Sequence, residues 1–154
     1  MAGYSGTPLP AKLGLRPGQR LAFSGEPDGF LSSLGTLPGG ARVAAGGAFD
    51  LAVLFVRSAR ELESVLAKAQ PRLEPAGALW IGWPKKASGV PTNVTEDVVR
   101  AAALARGLVD VKVCAIDETW SGLKLVVRLV DRPATARKPA RARAAPAASR
   151  ARRR

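Results

Sequence analysis

The chain has no histidine and a single cysteine, Cys114. The first absence excludes Ser-His-Asp and Cys-His catalysis and nearly every zinc arrangement, so no metal is expected. The second excludes an internal disulfide and suits a reducing compartment. Aromatic residues are sparse at 5%. Long hydrophobic runs are missing too: the longest, Leu51 to Val56, falls far short of the roughly 18 residues that span a bilayer. The opening MAGYSGTPLP has neither a cationic start nor an apolar stretch, which predicts a cytoplasmic protein with no secretory signal and no membrane partner. No GxxxxGK[ST] phosphate loop occurs.

What is present is unevenly spread. Of 24 Lys/Arg and 12 Asp/Glu, nine basic residues and one acid fall at or after Asp131, leaving 15 basic and 11 acidic before it. The first 130 residues thus carry +4 of the net +12. Residues 131–154 are a basic Ala/Pro/Arg tail with nothing large and apolar to bury, expected to be disordered. Its Arg150, Arg152, Arg153 and Arg154 could hold nucleic-acid phosphates non-specifically, or the tail could merely aid solubility. Residues 1–130 are long enough for one domain.

That domain alternates. Arg20–Ser24 predicts a short strand, GEPDGF a turn, and Phe30 to Leu34 a short helix. Ala41 to Ala45 predicts another strand. Phe49 to Val56 (FDLAVLFV) is apolar on both faces, as buried parallel strands are. Ser58 with Glu61 reads as a capping box, opening a helix that Pro71 stops. Glu74-Pro75-Ala76-Gly77 predicts a turn and Ala78–Trp83 a strand. Thr95 caps a second helix with Glu96 and Asp97 in its first turn, and Gly107 closes it. Val109–Ile116 and Leu123–Val130 form a terminal hairpin about the turn Asp117–Gly122, leaving the last strand at an edge that Lys124 and Arg128 protect. This order predicts an α/β three-layer sandwich with a mostly parallel sheet and an antiparallel C-terminal strand.

In such sheets ligands collect at the carboxyl ends of the strands. Three polar clusters should meet there: Gly25–Gly29 with Glu26 and Asp28, then Pro84–Gly89, then Asp117–Gly122. The candidate ligand-binding residues are Lys85, Lys86, Ser88, Asp117, Glu118, Trp120, Ser121, Gly25 and Gly29. Lys85 and Lys86 would hold a negative group, with Asp117 and Glu118 orienting them, and Trp83 or Trp120 could stack a flat ring. Ser88-Gly89 could form an anion nest of backbone N–H groups. Alternatively, Lys86 pairs with Asp117 or Glu118 to tie two loops together while Trp120 plugs the sheet end. Cys114, inside a strand, reads as a small buried apolar residue. The strap GYSGTPL could bring Tyr4 and Ser5 to the site edge.

The order of parts resembles the Rossmann-like sheet of S-adenosylmethionine-dependent methyltransferases. LGLRPGQRLAFSGEPDGF is similar to their first strand and glycine turn, and FDLAVLFV with LEPAGALWIGWP to their fourth and fifth strands. More closely, GYSGTPL, WPKKASGV, TEDVVR and DVKVCAIDETWSGLK resemble a family of small, uncharacterised bacterial proteins known only as a domain of unknown function, over Gly3 to about Lys124. The resemblances imply a Rossmann-like fold of reduced methyltransferase-like topology and import no activity. The sequence departs from the methyltransferase pattern in two places. Its first turn carries a proline and two carboxylates, and Ala44-Ala45-Gly46-Gly47 supplies no acid for ribose hydroxyls before Asp50.

These features predict a non-catalytic binding or regulatory module that recognises a small anionic molecule or a protein partner and needs no cofactor. One alternative is a small methyltransferase-like enzyme using S-adenosylmethionine. The other is a nucleic-acid-associated protein acting through its tail.

Overall fold

Residues apolar on both sides belong in the middle of a covered sheet, and FDLAVLF takes that place. The computed structural model describes residues 7–128 and Asp131. In chain order the elements are α1 (Leu9–Leu13), β1 (Arg20–Ser24), α2 (Phe30–Leu34), β2 (Arg42–Val43) and β3 (Phe49–Phe55). There follow α3 (Ala59–Ala69), β4 (Leu73–Pro84), α4 (Glu96–Ala105), β5 (Leu108–Ala115) and β6 (Trp120–Val127). The sheet order is β2-β1-β3-β4-β6-β5. Strands β1 to β4 are parallel, and β6 runs antiparallel to both β4 and β5. This is the mostly parallel, three-layer α/β arrangement expected.

One face of the sheet packs Ala52, Leu54, Leu79, Ile81 and Leu123 against Leu62 and Leu66 of α3 and Val99 and Ala103 of α4. The other packs Leu51, Val53, Phe55 and Trp80 against Leu13 of α1 and Phe30 and Leu34 of α2. Trp80, fully buried, donates its indole N–H to the Leu13 carbonyl at 2.9 Å and so fixes the short α1 on the sheet. At the amino ends of the strands, Arg20 joins Asp50 at 3.0 Å and Glu74 at 3.1 Å, tying β1, β3 and β4 together. The hydrogen bond that this guanidinium donates to Asp50 is the chief cause that holds it more firmly protonated than usual.

Local signals set the helix starts. Ser58 Oγ accepts from Glu61 N at 3.1 Å, and Thr95 Oγ1 accepts from Val98 N at 3.2 Å. The reciprocal arm of the capping box reaches one residue further back than expected: Glu61 Oε1 accepts from Arg57 N at 2.6 Å.

Four expectations need correcting. Glu74–Gly77 is no turn. It lies within β4, where the register passes from Phe49↔Leu73 to Leu51↔Ala78 and residues 74–77 bulge opposite Asp50. Gly77 permits this, because a side chain there would start 2.6 Å from the Asp50 carbonyl. The strand expected at Ala41–Ala45 shrinks to Arg42–Val43, since Ala44 to Gly47 carry almost nothing to bury. The final strand begins at Trp120, earlier than Leu123, and it is not at an edge. It is inserted between β4 and β5, so β5 is the edge strand, with a bulge between Asp110 and Lys112 that guards it. Val111 and Val113 are accordingly exposed. Cys114 is only half-buried.

Candidate functional site

The carboxyl ends of β1, β3 and β4, together with the β5–β6 turn, bring the three predicted clusters to one edge. Gly25, at φ +67°, leaves β1 so close to β3 that a Cβ would lie 2.5 Å from the Phe55 carbonyl oxygen. Only glycine fits such an approach. Gly29 sits just before α2, exposed, with open space where a side chain would be. Behind this turn runs an aromatic ladder of edge-on contacts. Phe23 meets Phe30 at 5.5 Å, Phe30 meets Phe55 at 4.9 Å, and Phe55 meets Trp120 at 5.2 Å between ring centroids.

The ladder ends in a cation that the sequence reading passed over. Arg57 follows β3 by two residues, and its guanidinium carbon lies 4.8 Å from the Trp120 ring centroid. One of its nitrogens reaches the Gly25 carbonyl at 3.5 Å. Among the described residues this guanidinium forms no ion pair. A planar, delocalised cation resting on an indole with most donors unspent is suited to grip a carboxylate or phosphate. A signal did exist: Arg57 directly follows the VLFV run, at the end of the most buried strand. A lone arginine stood out less than two adjacent lysines.

The lysines lie beside it. Lys85 N donates to the Thr119 carbonyl at 2.8 Å, which locks the β4 loop to the β5–β6 turn. The side chains of Lys85, half-buried, and Lys86, exposed, form no ion pair among the described residues. Asp117 serves the turn: its Oδ1 accepts from Thr119 N and Trp120 N, both at 2.8 Å. Glu118 is exposed at the turn's tip and Ser121 pairs with Trp83 across β4 and β6. Trp83 and Trp120 fall on opposite faces of the sheet, and only Trp120 joins the Arg57 side.

Ser88 and Gly89 form no nest. Their N–H groups go to the Lys85 and Lys86 carbonyls at 3.0 and 3.3 Å, and Ser88 Oγ donates to the Lys85 carbonyl at 2.6 Å. These atoms close the loop and none is left for an anion. Tyr4, Ser5, Arg150, Arg152, Arg153 and Arg154 lie outside the described residues. Among the described residues no helix is long and apolar enough to cross a membrane, and no group of His, Cys, Asp and Glu is arranged to hold a metal.

A groove lies apart from this edge. It is an open groove of about 370 Å³ between α4 and β5, lined by Glu96, Arg100, Asp110 and Val113 among others. Arg100 already engages Glu96, Asp97 and Asp110 there, so its charges are largely spent on one another. The carboxyl edge, whose cations form no ion pair among the described residues, is therefore the stronger candidate.

A family model described as "Protein of unknown function (DUF3052)" matches residues 43–129, more than half of the chain. The chain belongs to this family. The matched span holds Arg57, Lys85, Lys86 and Trp120, and begins after the Gly25 turn. No match was found among curated proteins. Solved structures of similar fold include magnesium protoporphyrin IX methyltransferase from Synechocystis PCC 6803 with bound SAH. It is 12% identical over 72% of this chain and 74% of that one, with a TM-score of 0.52. Ribosomal protein L11 methylase from Lactobacillus delbrueckii subsp. bulgaricus is 12% identical over 77% and 74%, with a TM-score of 0.51. Aeropyrum pernix fibrillarin with natively bound S-adenosyl-L-methionine is 12% identical over 78% and 69%, with a TM-score of 0.51. At such identities the likeness is one of fold, and this DUF3052 member has a Rossmann-like, methyltransferase-type sheet.

Proposed function

We propose that this DUF3052 protein is a binding or regulatory module whose carboxyl-end crevice takes the negative group of a small molecule. The observation that carries the reading is Arg57 over Trp120, a preorganised cation without an ion-pair partner among the described residues, beside Lys85 and Lys86. Arg57 would hold the anion bidentately, Lys85 and Lys86 would add charge at the rim, and Trp120 would floor the pocket. Asp117 would keep the β5–β6 turn in place.

A second reading, a small methyltransferase-like enzyme, is favoured by the fold of the neighbours solved with S-adenosylmethionine or SAH bound. Three features weigh against it. The Gly25 approach is occupied by the Phe55 carbonyl. The turn carries Glu26 and Asp28, and the stretch after β2 offers no carboxylate. Asp50 lies at the opposite end of its strand, bound to Arg20. The basic tail is a separate proposal, carried by sequence alone, for weak non-specific contact with nucleic acid.

Thermal melts of the full chain test these readings with a panel of dicarboxylates, tricarboxylates, nucleotides, S-adenosylmethionine and its demethylated product. A ligand at ~100 times its Kd adds ~2.7 kcal/mol, a rise of several degrees at this size. A rise with anionic compounds and none with S-adenosylmethionine supports the binding module. A rise with S-adenosylmethionine would return the crevice to the enzyme reading. A silent panel would point to a protein partner and contradict small-molecule binding.

A further inference from the structure

We infer that the α1 face of the β5–β6 hairpin carries a second anion site, separate from the crevice, in which Lys112, Lys124 and Arg16 enclose a phosphoryl group. The register pairs Lys112 directly with Lys124 across the antiparallel ladder. Like charges so placed repel, with their Cβ atoms roughly 5 Å apart on one face. Both ammonium groups nevertheless reach towards α1, Lys124 half-buried and Lys112 exposed. Lys124 Nζ lies 3.3 Å from the point where a Cβ on Gly14 would begin, tucked against the left-handed end of α1. Lys112 Nζ donates to the Lys12 carbonyl at 3.5 Å, and the buried Lys12 sends its own ammonium to the Ala115 carbonyl at 2.8 Å. Arg16 follows directly, its backbone N–H held by Gln19 Oε1 at 2.8 Å.

Asp110, the acid nearest on β5, engages Arg100 on the α4 side. Among the described residues Lys112, Lys124 and Arg16 form no ion pair. Burial, then Lys112, then Arg16 lower the Lys124 pKa, so the ammonium is in an environment that disfavours its charge. A cationic trio with Lys124 half-buried at its centre and Lys112 and Arg16 exposed beside it is costly alone and favourable once a compact anion bridges it. Two ammonium groups one strand apart can both reach one tetrahedral dianion, and the guanidinium can close over it. Lys124 stands four residues along β6 from Trp120, roughly 13 Å, so the two sites are distinct.

The test uses the full chain with inorganic phosphate against chloride at matched ionic strength, followed by melting and by amide NMR shifts. Lys112→Gln, Lys124→Met and Arg57→Gln are compared with the parent protein. Phosphate should raise the melting point beyond chloride and move amides near Gly14, Lys112 and Lys124. Each lysine substitution should weaken the phosphate response of those amides roughly tenfold or more, whereas Arg57→Gln should remove only whatever phosphate the Arg57 edge itself holds. Without phosphate, the lysine variants should melt no lower than the parent, because repulsion has been removed. A nucleoside monophosphate run alongside distinguishes a phosphorylated metabolite from free phosphate by which binds more tightly. Equal responses of the Gly14, Lys112 and Lys124 amides in parent and lysine variants, or no response there beyond chloride, would overturn the site, and a melting rise that only Arg57→Gln abolishes would place phosphate at the Arg57 edge instead.

Discussion

Trp120 serves two purposes at once. It is 5% exposed and packs edge-on against Phe55, so it belongs to the core, yet Arg57 lies over it at the crevice. Trp120→Ala should therefore cost about 3–5 kcal/mol, read as a fall in the urea midpoint. Trp120→Phe should retain most of that stability while weakening anion binding, because the smaller ring gives a poorer cation–π surface. Cys114 makes a second prediction. Burial raises its thiol pKa more than Lys12 and Lys112 lower it, so alkylation at neutral pH should run slower than for a free cysteine. Lys112→Gln, by removing a cation, should slow it further. Lys124 makes a third. Its folded pKa lies below its ordinary 10.5, so the unfolded chain binds its proton more tightly. Stability should then rise with pH from that lowered value towards 10.5, and Lys124→Met should remove this part of the rise in urea melts.

At the scale of elements, the sequence was most readable where structure is local. Ser58 and Thr95 announce their helices because a cap needs only its own next three residues, and Ser58→Ala or Thr95→Ala should each cost about 1 kcal/mol. FDLAVLF was legible because a run apolar on both faces suits only a covered strand. Glu74-Pro75-Ala76-Gly77 misled because turn chemistry is local while the bulge that absorbs it depends on Asp50, a residue of the neighbouring strand. The insertion of β6 between β4 and β5 was hidden for the same reason: partners across a sheet leave no mark in spacing. The site divided in the same way. Its position followed from the strand ends, and Lys85, Lys86 and Trp120 were visible as residue types. Arg57 acquired meaning only when β3 and β6 set it over the indole, and Asp117 showed its turn-capping work only in three dimensions.

At the scale of the whole molecule, the Rossmann-like sheet shares its architecture with the methyltransferase neighbours, while its carboxyl edge carries cations that form no ion pair among the described residues. The tail adds a second kind of basicity. Duplex DNA binding by the full chain should fall linearly in log affinity with log salt, and replacing Arg150, Arg152, Arg153 and Arg154 by alanine should reduce the slope by roughly 3–4. The crevice should be indifferent to that change. Its claim rests on Arg57, and the most direct measurement is the melt of Arg57→Gln beside the parent chain, each with the anionic compound that most stabilises the parent. The account predicts that the two melt alike without ligand, within about 1 kcal/mol, and that Arg57→Gln loses the ligand-induced rise. An equal rise in both would place the ligand elsewhere and contradict the crevice as the binding site.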